Sequence, residues 1–463
     1  MQQGRFLSGG TMGHVVRMTA TGAMGITFVF LVDAANLFWV SQLGEPQLVA
    51  AIGYAYAVQF FSVSIAVGLM IAATAVISRS IGAGERDQAR RQAGAGVVIA
   101  ASILAFVSLL IVGFRHNLIA VTGAEGETAR LAARYLGITI PSLIPMSVAL
   151  VLSGALRADG YGAKAMYITL SGGTLLMLID PVLIVWMGLG LDGAAIGLVL
   201  FRCTLLTAAV FFAVIQMKLV ERPTRRTLRN IAGPFLVVAG PAIATQMSTP
   251  AGNYLLTIAM SAYGDEAMAA WAVVGRLTVV VFGGVFALSG AIGGIFGQNY
   301  GAGQMERVRS TYRNALLFCL IYTLVAWGLM LLVTRYVVAA FALTGVGVEV
   351  LRSFTLVGVG GFVFIGALFV SNAAFNNLGR PAWSTLVNWC KDGVLSYPAA
   401  IWLATTFGAS GVIYGQALAG SVMGIIAATW GWFYVKGLRA PDDVTLDPSY
   451  PRPYPNPDRY RRR

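Results

Sequence analysis

Twelve long apolar runs, separated by short charged segments, constrain this chain more than any other feature. An α-helix needs about 20 apolar residues to cross the hydrocarbon layer. Within lipid, only helices and closed barrels satisfy every backbone polar group. The runs fall at 15–40, 50–78, 93–113, 131–154, 165–187, 193–217, 232–261, 267–298, 314–333, 353–377, 384–404 and 411–435. Each is too long for the roughly ten-residue strand of a transmembrane barrel. The spacing predicts an all-α integral membrane protein with twelve transmembrane helices. Its thinnest division lies between the fifth and sixth runs, where Gly188–Gly193 carries one charge, Asp192.

Composition excludes the soluble classes. The 463 residues are 57% hydrophobic and 11% charged, with a mean hydropathy of +0.75, whereas a soluble domain is about 25% charged. The net charge of +13 resembles a nucleic-acid signal only until it is located. Of 32 Lys and Arg residues, 24 fall in segments on the side of the termini, five fall on the opposite side, and Arg202, Arg276 and Lys391 lie within runs. Basic loops face the cytoplasm. Both termini are therefore expected there, in a multi-pass protein of the inner (plasma) membrane with no nucleic-acid partner. Cys203, Cys319 and Cys390 lie in apolar runs without paired spacing and read as small core residues.

The chain repeats itself. Gly82-Ala83-Gly84 returns as Gly301-Ala302-Gly303, and the turn around Gly160 returns around Gly379, each 219 residues later. Gly193 and Gly197 recur as Gly411 and Gly415 at an offset of 218, and Gly44-Glu45 as Gly264-Asp265 at 220. Four matches at a near-constant offset predict two homologous six-helix lobes, 1–217 and 232–435. They would be joined by a basic cytoplasmic linker, 218–231, and followed by a disordered cytoplasmic tail, 436–463. Six helices is an even number, so both lobes enter the membrane in one orientation. That relates them by a pseudo-two-fold axis along the membrane normal, with a cavity between.

Charged groups at membrane depth are costly and mark function. The embedded carboxylates are Asp33, Asp180 and Asp392. Asp392 adjoins Lys391, so an ion pair accounts for it. Asp33 has no cationic neighbour in sequence and is followed one turn later, on the same face, by Asn36. Asp180 precedes Pro181, whose missing N–H frees the carbonyl of Met177. A carboxylate beside a free carbonyl suits a proton or a small cation, so Asp33, Asp180 and Asn36 form the candidate coupling site. Candidate cavity residues, able to hold a lipophilic cation by cation–π contact, are Phe38, Trp39, Tyr54, Phe60, Phe61, Trp271, Phe282, Trp389 and Trp402. No GxxxxGK[ST] loop, HExxH, GxSxG or metal-ligand cluster appears. No enzyme activity, cofactor or metal site is expected.

At these residues the sequence resembles the MATE family, the multidrug and toxic compound extrusion transporters. The pieces that carry the resemblance are Ile77-Ser-Arg-Ser-Ile-Gly-Ala-Gly84, Gly297-Gln-Asn-Tyr-Gly-Ala-Gly303, Leu156-Arg-Ala-Asp-Gly160, Asp180-Pro181 and Leu378-Gly-Arg-Pro381. The resemblance implies two six-helix bundles forming a V, and export of organic cations driven by H⁺ or Na⁺. It also places an acid of the fifth helix at Asp180. The first helix departs, because the family's Asn precedes its Asp by three residues and here Asp33 precedes Asn36. Leu176 and Leu198 stand where the family places Asn and Thr, a loss that weakens a Na⁺ shell more than a proton site. Thr21 replaces the proline typical of the first helix, while Pro241 keeps its counterpart in the seventh.

The expected function is a proton-coupled antiporter of small, mostly cationic organic molecules, working as a monomer amid membrane lipid. The competing reading is a flippase for lipid-linked precursors on the same fold. It would use Arg202, Arg276 or Lys391 to meet phosphate, and either arginine facing the cavity would favour it.

Overall fold

A computed structural model describes residues 4–440. Twelve helical rods cross it: α1 Thr11–Ser41, α2 Pro46–Gly82, α3 Arg86–Gly113, α4 Gly126–Ala158, α5 Gly162–Trp186, α6 Gly190–Gln216, α7 Arg225–Ser261, α8 Asp265–Gly301, α9 Met305–Ala340, α10 Gly345–Leu378, α11 381–407 and α12 Ala409–Gly437. A short helix, Arg115–Val121, lies between α3 and α4. Among the described residues eleven rods are long and apolar enough to cross a membrane as they stand, and the twelfth, α11, is more polar, carrying Asn388, Lys391 and Asp392 about its π-helical segment Cys390–Leu395. The fold is the expected one, two six-helix bundles related by a pseudo-two-fold axis.

Several rods outrun their apolar stretches. At 37 residues, α2, α7 and α8 each reach about 55 Å at 1.5 Å per residue, against a hydrocarbon layer of about 30 Å. Hydropathy marks the lipid-spanning part of a helix, whereas its hydrogen-bond ladder continues into the interface. For the same reason α7 starts at Arg225, inside the stretch expected to be linker, leaving only 217–224 non-helical between the lobes. The tail expectation for 441–463 lies outside the described residues.

The lobes meet through α1 and α2 on one side and α7 and α8 on the other, with α1 on α8 mirrored by α7 on α2. The duplicated Gly-Ala-Gly motif explains how. A Cβ on Gly82 would strike the backbone of Gln298, and a Cβ on Gly301 would strike the backbone of Arg79. These two contacts are the same contact under the 219-residue repeat, so the pseudo-axis passes between α2 and α8 where both lack side chains. The last glycine of each motif serves the turn instead, since Gly84 and Gly303 hold φ of 79° and 72° just beyond the helix ends.

Hydrogen bonds reinforce this end. Gln298 Nε2 donates to the Ala158 carbonyl at 2.6 Å, and Arg79 donates to the carbonyls of Asn377 and Asn376 at 2.6 and 3.2 Å. Toward the other end the central helices expose side chains, including Tyr56 and Phe61 on α2 and Val280 on α8. The lobes are therefore closed at the end bearing the termini and open at the other. Midway, α8 bends at Phe282 (φ −106°, ψ 15°), beside the glycine pair Gly283–Gly284.

Candidate functional site

The N-lobe brings the three expected coupling residues to one place. Asn36 Nδ2 of α1 donates to Asp180 Oδ2 of α5 at 2.7 Å. Asp180 is 1% exposed, and its Oδ1 is buried, without a partner among the described residues, against Gly197 of α6, where any Cβ would collide with it. Gly197 is thus the gap that admits the carboxylate. Leu176, also buried, flanks the same gap. Asp33, one turn before Asn36, is exposed to the cleft. After Pro181 the helix continues as the π-helical turn Val182–Trp186, the register change a missing N–H permits.

Behind this pair sits a cation. Arg202 of α6 is 3% exposed and donates to Gln59 Oε1 at 2.9 Å, the Thr139 carbonyl at 2.9 Å and Ser142 Oγ at 3.0 Å. Its charge reaches Asp33, yet no hydrogen bond among the described residues joins the two. Arg202 is therefore a fixed buried charge held by neutral groups of α2 and α4, not a cavity-facing arginine. The other, Arg276, is exposed on α8.

The C-lobe is arranged differently. Lys391 Nζ hydrogen-bonds Asp392 Oδ1, and Ser248 Oγ of α7 donates to Asp392 Oδ2 at 3.1 Å. The ion pair expected from sequence is present, with Asp392 buried and Lys391 half-buried. Around it α7 carries Pro234, Pro241 and Pro250, and the Pro241 carbonyl accepts from Thr245 and Thr385 at 2.9 and 2.8 Å.

The candidate cavity aromatics divide. Phe38, Phe61 and Trp402 are exposed. Phe60 is half-buried and stacks on Tyr56 with centroids 5.7 Å apart. Trp39 and Tyr54 pack on the N-lobe core. Trp271 donates to Thr257 Oγ1 at 3.0 Å, and Trp389 donates to the Ala244 carbonyl at 2.9 Å. Phe282 does not line the cleft. It is fully buried, stacked on Phe362 with centroids 3.8 Å apart, because the bend in α8 turns it inward. Cys203 also departs from expectation, lying exposed on α6 rather than in a core.

A model of the MatE family matches residues 23–182 and 241–402, the greater part of both lobes. The chain belongs to the MatE family. Among curated MatE relatives, the FAD transporter of Shewanella oneidensis is 25% identical over 418 residues, covering 89% of this chain and 92% of that one. The multidrug export protein MepA of Staphylococcus aureus is 21% identical over 403 residues, covering 85% and 87%. Two solved structures share the fold. The Vibrio cholerae MATE transporter VcmN has a TM-score of 0.86 at 21% identity, covering 92% of this chain and 98% of that one. A MOP superfamily transporter from Pyrococcus furiosus has a TM-score of 0.87 at 23% identity, covering 94% and 98%. This MatE protein is a multi-pass membrane transporter and not an enzyme.

Sequence reasoning missed two parts of the candidate site. Tyr56 is exposed close to Asp33 and carries the stacking partner of Phe60. Its position one turn before Phe60 was the available signal. Arg202 was visible as a charge at depth, but its partners Gln59, Thr139 and Ser142 come from separate rods and nothing in their spacing announces them.

Proposed function

We propose that this transporter is a proton-coupled antiporter that exports small, mostly cationic organic molecules across the inner (plasma) membrane, with both termini in the cytoplasm. The observation that carries the reading is the pair of N-lobe carboxylates. Asp180 has one oxygen held by a neutral amide and the other buried and unpartnered, while Asp33 stands open to the cleft one turn from that amide. Carboxylates at membrane depth, one buried and one opening on a cleft, are suited to take up and release a proton.

Two features favour H⁺ over Na⁺. A sodium ion needs several oxygen ligands, and the groups beside Asp180 include Leu176 and the bare backbone of Gly197. Asn36 is the one side chain bonded to it among the described residues.

An organic cation entering the cleft would meet Asp33 and the Tyr56–Phe60 stack, a carboxylate beside aromatic faces. It competes with protons for Asp33, so loading one releases the other. Movement then requires the Gly82–Gln298 and Gly301–Arg79 contacts to part at the cytoplasmic end while the opposite end closes. The relative named MepA supports drug export as the role.

A second reading keeps the coupling and changes the cargo to a phosphate-bearing molecule such as a lipid-linked precursor. Arg276, exposed on α8, favours it, and one relative is named a FAD transporter. The test is export of ethidium from liposomes holding purified protein, under a pH gradient and separately under a Na⁺ gradient. Export driven by the pH gradient alone supports the first reading. Failure with ethidium, together with gradient-driven movement of a flavin nucleotide or a fluorescent lipid phosphate, supports the second.

A further inference from the structure

At the terminus-bearing end of the N-lobe, apart from the transport cleft, α1, α5 and α6 enclose an open cavity of about 300 Å³. Among the described residues its walls hold three cations, Arg5, Arg17 and Lys164, and no carboxylate. These charges are positioned by neutral groups. The Arg5 guanidinium lies 3.8 Å from the Tyr161 ring centroid, and Lys164 Nζ bonds Gln216 Oε1 while lying 5.6 Å from the Phe212 centroid. Arg17 is exposed on α1, about 9 Å along the rod from Thr11. The acid nearby, Asp159, is already engaged by Arg86 through hydrogen bonds of 3.2 and 3.3 Å. Burial holds its carboxyl above the ordinary value, an effect Arg86 and Arg5 offset only in part.

The deeper wall is apolar, formed by Met18, Tyr167 and Phe212. Tyr167 is half exposed, and beside it Phe211 and Ile215 of α6 turn outward, a surface that in a membrane protein faces lipid. A soluble phosphate would use the cations and leave this wall idle. A phospholipid uses both, its phosphate between the cations and its ester carbons on the apolar wall. The depth of Arg17, within the first turns of a spanning helix, is that of the headgroup layer.

We propose that this cavity binds the phosphate headgroup of an anionic phospholipid, with Arg17 and Lys164 as its ligands and Arg5 closing it. Arg5 belongs to a segment that crosses to the other lobe. The Phe6 N–H donates to Gln298 Oε1 at 3.0 Å, and Arg307 of α9 donates to the carbonyls of Phe6 and Gly9 at 2.7 and 2.8 Å. A lipid held by Arg5 and Arg17 therefore also tethers the strap that spans the closed end.

The test is thermal unfolding of the purified full-length protein in detergent with added phosphatidylglycerol, phosphatidylcholine or inorganic phosphate. Phosphatidylglycerol raises the melting temperature saturably, and the other two do not. Each cation near a membrane surface is worth about fivefold in affinity for anionic lipid. Arg17→Gln/Lys164→Gln therefore weakens the phosphatidylglycerol response about 25-fold, with the lipid-free melting temperature kept. Arg17→Lys keeps most of the response. Arg225→Gln/Arg226→Gln, which removes the same charge from the same end, leaves it intact. Should the double variant fail to fold, Arg5→Gln reads the same site outside any helix, with about a fivefold loss expected. An unchanged response in the pocket variants, or an equal loss in the Arg225/Arg226 variant, overturns the site. A shift reproduced by inorganic phosphate overturns the lipid assignment.

Discussion

In the N-lobe, the buried Asp180 is bonded by the neutral amide of Asn36, and the nearby cation Arg202 spends its hydrogen bonds on Gln59, Thr139 and Ser142. In the C-lobe, the buried Asp392 is bonded directly by Lys391, its neighbour in sequence. One scaffold thus carries two ways of keeping charge in a membrane. A carboxylate already neutralised by its own lysine gains little from a proton. One held by an amide stands a full charge short of neutrality, and a proton or a cationic substrate supplies it. The repeat supplies two equivalent helix pairs, α1 with α5 and α7 with α11, but Asp180 and Asp392 lie 212 rather than 219 residues apart and so about two turns out of register. On the proposed reading, the placement of one cation relative to one carboxylate decides which lobe can couple.

The sharpest way to break this comparison is Asp33→Asn. Gradient-driven export in liposomes should fall to the level of empty vesicles, and Asp180→Asn should follow it. Asn36→Ala is milder. Losing one hydrogen bond to a buried carboxyl costs about 1.5–3 kcal/mol, so transport should fall roughly tenfold, measured as initial rate against substrate concentration. In the C-lobe, Lys391→Met or Asp392→Asn alone leaves one buried group unpaired and should destabilise the fold by about 3–5 kcal/mol, read by thermal unfolding. The double change Lys391→Met/Asp392→Asn removes both charges and should keep proton-driven transport within about twofold. If it silences transport as Asp33→Asn does, the two lobes are not divided in this way.

Arg202 sharpens the N-lobe side. Arg202→Met leaves the acceptors on Gln59, Thr139 and Ser142 without their donor and should cost about 3 kcal/mol in unfolding free energy. It also removes the positive charge that opposes any cation, a proton included, at Asp33. The wild type should export at the same rate when K⁺ replaces Na⁺. A sodium stimulation that appears only in Arg202→Met would tie ion choice to that guanidinium.

The rods and the duplication were legible because a helix in lipid must be long, apolar and repeated at one offset if a lobe is copied. Asp33, Asn36 and Asp180 were legible because polar groups at that depth are costly enough to be few. Their contacts were not. Asn36 meets Asp180 rather than Asp33, a choice set by the azimuth of α1 against α5, which an apolar helix pattern does not encode. Phe282 shows the same limit. An aromatic in a largely apolar stretch carries no sign of which way it points, and Phe282, at the bend of α8, lies stacked on Phe362. The Gly-Ala-Gly motifs show in sequence only as a repeat, and in the fold their glycines divide, with Gly84 and Gly303 belonging to turns. Gly82 and Gly301 make the crossing of α2 and α8, a contact between lobes that only the folded chain reveals.

The claim that the N-lobe carboxylates exchange a proton for substrate can be put to the protein without any membrane. Ethidium is added to purified transporter in weakly buffered detergent solution, and the released protons are followed with a pH indicator. The wild type and Lys391→Met/Asp392→Asn should release protons on binding, and Asp33→Asn should release none. Proton release that survives in Asp33→Asn, or that vanishes in the C-lobe double variant, would contradict the assignment of coupling to the N-lobe.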